Sequence, residues 1–136
     1  MNFKMKKWWQ SLRHYVIADP ADNSVTLSKA LFLRIRNNAE EGEAARVFVF
    51  RITEDGTYGF AVNPKMEDQT QWCAIQYNEK YRCIGFETLC PSVGRILYDY
   101  GLPADTRVKL SVSVQRAGGM TYYRIEKPRN AQSAWR

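Results

Sequence analysis

The strongest pattern in the chain lies at residues 107–115, where polar and apolar residues alternate. Val108, Leu110, Val112 and Val114 fall on one side of an extended chain, and Arg107, Lys109, Ser111, Ser113 and Gln115 on the other. Gly118-Gly119 follows, a two-residue hairpin turn, and then Met120–Glu126. This turn predicts that Val114 faces Tyr123 and Val112 faces Ile125 on the apolar side. On the polar side Gln115 then faces Tyr122, Ser113 faces Arg124 and Ser111 faces Glu126. A one-residue slip would bury the charges, so the register is strongly specified.

Two further hairpins are predicted upstream. Residues 46–53 and 57–63 flank Glu54-Asp55-Gly56, a loop that suits a type I turn with glycine in the left-handed position. The register read from it pairs Phe50 with Phe60, Phe48 with Val62 and Ile52 with Tyr58, which makes one face strongly aromatic. Residues 71–77 and 81–86 flank Asn78-Glu79-Lys80, pairing Trp72 with Phe86, Ala74 with Ile84 and Ile75 with Cys83. Both faces of that hairpin are apolar.

Residues 24–37 carry Val25, Leu27, Leu31, Leu33 and Ile35 and are assigned to a strand, although Leu27-Ser-Lys-Ala also suits the start of a helical turn. Asp19–Asn23 reads as a turn. Thr88–Tyr100 is the main predicted helix. Thr88 is its cap, Pro91 lies in its first turn, Leu89, Val93, Ile96, Leu97 and Tyr100 form its stripe, and Gly101 and Pro103 end it. At the N-terminus, Met5, Trp9, Leu12 and Val16 suit a short amphipathic helix over 3–12, while Arg13–Ala18 also suits a strand. The class is α+β: a mostly antiparallel, hairpin-built sheet of about seven strands, packed by one main helix.

Composition adds modest limits. The chain has 136 residues, 45% of them hydrophobic and 25% charged, which suits a single domain with its own core. Its net charge of +6 is uneven: +4 over residues 1–18, −4 over 19–106 and +6 over 107–136. Residues 1–20 thus form a basic leading segment, and 128–136 are expected to be a flexible basic tail. Basic surfaces favour polyanions, and they also keep a protein soluble. Cys73, Cys83 and Cys90 are odd in number and lack a CxxC spacing, so neither a disulfide framework nor a zinc site is expected. Residues 10–14 are too polar for a signal core, and no apolar run is long enough to span a membrane; a cytoplasmic location is expected.

Candidate chemistry centres on the polar face of the last hairpin. Arg107, Lys109 and Arg124 supply cations for phosphate, and Tyr122 a ring for base stacking. Arg34 and Arg36 extend that face if the first strand lies alongside, and Lys4, Lys6 and Lys7 add the basic N-terminal segment. A solvated sheet surface carries the same residue types. His14, the one histidine, has no ligand-spaced partners, so no metal and no cofactor is expected. No paired acid and base stand out, so the chain reads as non-enzymatic, with a cysteine paired to His14 as the remaining catalytic alternative.

The order of Gly59–Asn63, Gln71-Trp72, a helix ending at Gly101, Arg107–Gln115 and Tyr122–Ile125 resembles that of single-strand-binding OB-fold proteins, where a helix precedes the final hairpin. The additional hairpin at 72–86 departs from it. The expected function is a small binding domain for nucleic acid, single-stranded by that resemblance; a protein-interaction or self-assembling domain is the alternative.

Overall fold

The computed structural model describes residues 13–38, 46–52, 54–62, 72–74, 76–78 and 83–128. These contain nine strands and two helices: β1 (Tyr15–Asp19), β2 (Ser24–Leu27), α1 (Lys29–Asn38), β3 (Arg46–Ile52), β4 (Thr57–Val62), β5 (Trp72–Ala74), β6 (Gln76–Asn78), β7 (Cys83–Glu87), α2 (Val93–Asp99), β8 (Val108–Ala117) and β9 (Met120–Ile125). The sheet order is β5-β3-β4-β9-β8-β1-β2-β7-β6, with every pairing antiparallel. The α+β class and the antiparallel sheet are as expected.

Chain connectivity curls this sheet into a near-barrel. β5 and β6 stand at opposite ends of the order, yet only one residue separates Ala74 from Gln76. Successive Cα atoms are about 3.8 Å apart, so the two ends of the sheet must lie side by side. Inside, Phe60 of β4 packs on Tyr123 of neighbouring β9 at 5.3 Å between ring centres and on Phe86 of β7 at 5.2 Å. β4 and β7 are not neighbours in the sheet, so the second contact crosses the interior. Val16, Val25, Leu31, Val47, Val93, Leu97 and Leu110 fill the same core.

The strand expected over 24–37 is instead β2 followed by α1. Apolar spacing changes from two to four at Leu27, because Leu27, Leu31 and Ile35 are the buried positions while Leu33 is exposed. Ser28 makes the change possible. Its Oγ accepts the Leu31 N–H at 3.2 Å, a helix N-cap, and also accepts the Tyr15 N–H and donates to the Arg13 carbonyl. The Asp19–Asn23 turn is as expected: Asp19 and Asp22 carboxylates accept the Ala21 and Ser24 N–H groups. It joins β1 to β2, so the strand reading of Arg13–Ala18 applies in β1. The helix considered for 3–12 lies outside the described residues.

The expected main helix is shorter, and α1 makes it one of two. Ser92 caps α2, accepting the Arg95 N–H at 3.1 Å. Thr88 is buried and donates its hydroxyl to the Pro91 carbonyl, so it fixes the preceding turn instead of the helix; Leu89 falls outside the stripe and is 79% exposed. At the other end, Leu102 N–H closes on the Leu97 carbonyl around Gly101, whose φ is +73°. Tyr100 then reaches the barrel, accepting the Tyr58 N–H at 2.7 Å and donating to the Ile125 carbonyl. Burial pushes its phenol well above the usual range, so it stays a neutral hydrogen-bonding plug.

The β8–β9 register is the one read from sequence, from Val112 opposite Ile125 to Gln115 opposite Tyr122. The other two registers differ. β3–β4 pairs Val49 with Phe60 and Phe50 with Gly59, one residue from expectation, because the turn spans four residues, with Ile52 opposite Thr57. Gly56 N–H bonds the Ile52 carbonyl and Thr57 N–H bonds Asp55. In the predicted third hairpin, Trp72 pairs with Phe48 of β3, while Tyr77 pairs with Ile84. Residues 72–74 and 76–78 serve different neighbours, which a simple hairpin does not allow.

Candidate functional site

The outer face of β3, β4, β9, β8 and β1 is built around small residues. Thr57, Gly59 and Ala61 point outward from β4, and all three are buried beneath their neighbours. Phe48 and Phe50 of β3 flank them on one side, Tyr122 and Arg124 of β9 on the other. Phe50 meets Tyr122 edge-on at 5.6 Å and stacks with Phe48 at 6.0 Å. Gly59 permits this, since a side chain there would come within 3.0 Å of the Tyr123 carbonyl and 3.5 Å of the Phe50 ring. All three rings are half-buried, leaving part of each surface to solvent.

Further along the same face, Tyr15 of β1 lies opposite Ser111 of β8. The Lys109 ammonium sits 3.9 Å from the centre of the Tyr15 ring, a close cation–π contact. The face therefore carries two aromatic stations, Phe50–Tyr122 and Tyr15–Lys109. They are separated by four residues along β8 and two strand spacings, roughly 15 Å.

Between them lies an ordered polar chain. Arg124 grips Glu126 with two parallel bonds, Nε to Oε1 at 3.0 Å and Nη2 to Oε2 at 3.1 Å, and reaches Asp55 with Nη1 at 3.0 Å. Ser113 donates to Glu126 and accepts from Gln115. Hydrogen bonds from the Thr57 hydroxyl and backbone N–H, then the charges of Arg124 and Lys127, hold the Asp55 carboxyl below its usual range. Hydrogen bonding to Glu126, with the Glu126 and Asp55 charges, raises Arg124.

The structure thus brings Lys109, Tyr122 and Arg124 onto one face, with exposed Arg107 just before β8. Arg124, however, is paired with two carboxylates. Arg34 and Arg36 lie on α1, so they do not extend the hairpin face as a neighbouring strand would. Burial, and then the charge of Arg34, depress the His14 imidazole, which places Arg34 near the chain leading into β1. Lys4, Lys6, Lys7 and the tail from 129 onward lie outside the described residues. Cys90 is exposed near the Asp19–Ser24 turn, through the Thr88–Asn23 bond, while His14 precedes the opposite end of β1. The five residues of β1 span about 16 Å, so this pair is held apart. Among the described residues no group of side chains is arranged to hold a metal ion, and no helix is long and apolar enough to cross a membrane.

Phe48, Phe50 and Tyr15 were missed as members of this face. The hint was in β3, where Val47/Val49 and Phe48/Phe50/Ile52 are apolar on both sides of the strand, each set with one arginine at a strand end, so one apolar set had to face outward. No protein-family model, curated protein or solved structure matches the chain.

Proposed function

We propose that the chain is a non-enzymatic binding domain that takes single-stranded nucleic acid across the outside of its barrel, along β9, β8 and β1. The observation that carries this reading is Lys109 seated 3.9 Å over Tyr15 on the face that also bears Tyr122. A flat ring beside an ammonium meets both needs of a single strand, a stacking surface for a base and a cation for phosphate. Tyr15 and Tyr122 are the stacking residues, Arg107 and Lys109 the phosphate contacts, and the net charge of +6 favours approach of a polyanion.

Fluorescence anisotropy with a labelled oligothymidylate over a salt series tests it. Affinity is expected to fall steeply with salt, with a slope in log–log form of about −0.7 per phosphate contact. Replacing Arg107 and Lys109 with Ala should flatten that slope, and Tyr122→Ala should weaken binding by about 1–3 kcal/mol at every salt concentration. Absence of binding at low salt overturns the proposal.

A second reading, a protein-interaction or self-assembling domain, rests on Leu89 and Tyr98, which are 79% and 68% exposed. Tyr98 lies in α2 and Leu89 in the turn before it. Light scattering over a concentration series addresses it: a monomer throughout, unchanged by Leu89→Ser and Tyr98→Ser, removes the self-assembling form.

A further inference from the structure

Beside the proposed binding path, three basic side chains gather at the β3–β4 turn. A methyl group built on Gly56 would lie 3.7 Å from both Arg51 Nη2 and Lys127 Nζ, and Arg124 bonds Asp55 in the same turn. Arg51 and Lys127 are 76 positions apart in the chain, and the turn brings their cationic ends together. Thr57 of this turn lies at the end of the row that leads through Glu126 and Ser111 to Tyr15 and Lys109. Arg124 lies on that outer face. Arg51 and Lys127, which follow the inward positions Val49 and Ile125 in alternation, sit at the barrel rim, where Lys127 also approaches the Tyr100 ring at 5.7 Å. The cluster thus extends the proposed path to the rim.

Asp55 occupies the place an anion would take among these cations, receiving Thr57 and Arg124. Glu126 takes two more of Arg124's five donors. Resting on the nucleic-acid reading, we infer that Arg51, Arg124 and Lys127 form a further phosphate-binding point for the same ligand, and that Asp55 and Glu126 act there as internal substitutes for phosphate which limit its affinity. The Asp55, Glu126 and Arg124 side chains keep 40%, 31% and 32% of their surface exposed. Ion pairs this open to water are weak, so a phosphate can compete for the guanidinium. Asp99, a carboxylate also near Arg51, is engaged by Tyr58 and Arg95.

The test compares the full chain, the double variant Asp55→Asn with Glu126→Gln, and a control, Asp22→Asn with Glu87→Gln, which changes net charge equally at exposed sites elsewhere. Each is titrated with labelled oligothymidylate over a salt series, with circular dichroism to verify folding. Asp55→Asn keeps an oxygen to accept the Thr57 N–H, so the turn is preserved. The inference expects the first double variant to bind several-fold more tightly than the control and to steepen the salt slope by about 0.7, one extra phosphate contact. Adding Arg51→Ala and Lys127→Ala should cancel that gain. Equal gains in variant and control, or a gain that survives loss of Arg51 and Lys127, overturn the inference while the proposed function stands. Absence of binding by every form, including the unaltered chain, overturns both.

Discussion

The β8–β9 and β3–β4 hairpins adjoin in the barrel wall through the β4–β9 pairing but are specified in different ways. In β8–β9 the outward set is Lys109, Ser111, Ser113 and Gln115 and the inward set is Leu110, Val112 and Val114. Only one assignment keeps charge in water, and the Gly118-Gly119 turn, with φ of +57° and +79°, agrees with it. In β3 each alternating set joins apolar residues to one arginine, Phe48, Phe50 and Ile52 with Arg46, and Val47 and Val49 with Arg51. Neither face is clearly the costlier to bury, so hydrophobicity leaves the register open. The turn decides it through Gly56, Asp55 and Thr57, and the result sends Phe48 and Phe50 outward. The lesson is that alternation fixes a register only when the unwanted face would be costly to bury.

The largest expected effect separates the two faces of the β3–β4 hairpin. Phe60 is fully buried against Phe86 and Tyr123, so Phe60→Ala should cost about 3–5 kcal/mol. Phe50, half-buried on the outer face, should cost about 1–2 kcal/mol on the same change, because much of its surface is already in water. Urea unfolding of both variants measures this. Equal losses would mean the two rings share the core, as the unshifted register requires.

A smaller effect concerns the turns. Gly118→Ala forces an alanine to a positive φ and should cost about 1–2 kcal/mol. Gly56→Ala, at φ +72°, should cost a similar amount. Their structural consequences should differ. Cross-strand nuclear Overhauser contacts between Val114 and Tyr123 should survive Gly118→Ala, since alternation still fixes that pairing. Those between Val49 and Phe60 should weaken in Gly56→Ala, where the turn is the arbiter.

The smallest effect is a difference in pH response. Hydrogen bonds from Thr57 hold Asp55 below its ordinary 3.8 in the folded chain. As acidity increases, the unfolded chain therefore takes up its proton first. The stabilisation is complete above the ordinary value and is lost as pH falls through the depressed folded value. Asp99, held down chiefly by the Tyr58 hydroxyl, acts in the same sense. Urea midpoints measured from neutral to acidic pH should show Asp55→Asn less acid-sensitive than the unaltered chain. The Gly118-Gly119 turn contains no titrating group, so Gly118→Ala should shift the whole curve without changing its shape.

Much of the candidate face was legible locally: Lys109, Tyr122 and Arg124 lie together because one hairpin carries them. Its electrostatic state was not. Asp55 pairs with Arg124 across 69 positions, and nothing in either local segment signals that contact. Arg34 and Arg36 were misplaced for a related reason. Leu27, Leu31 and Ile35 satisfy a helix while Leu31, Leu33 and Ile35 satisfy a strand, and Ser28 settles the matter through bonds to Arg13 and Tyr15.

By itself the sequence determined the β8–β9 register, the Asp19–Asn23 turn, the α2 stripe from Val93 to Tyr100, and the antiparallel α+β character. Each follows from contacts between residues close in the chain or from the cost of burying a charge. Tertiary structure alone decided the curling of the sheet through β5 and β6, the Tyr15–Lys109 contact and the pairing of Arg124. These depend on which distant segments meet. Where charges and rings from distant segments meet, the free energy resides in contacts that no local pattern records.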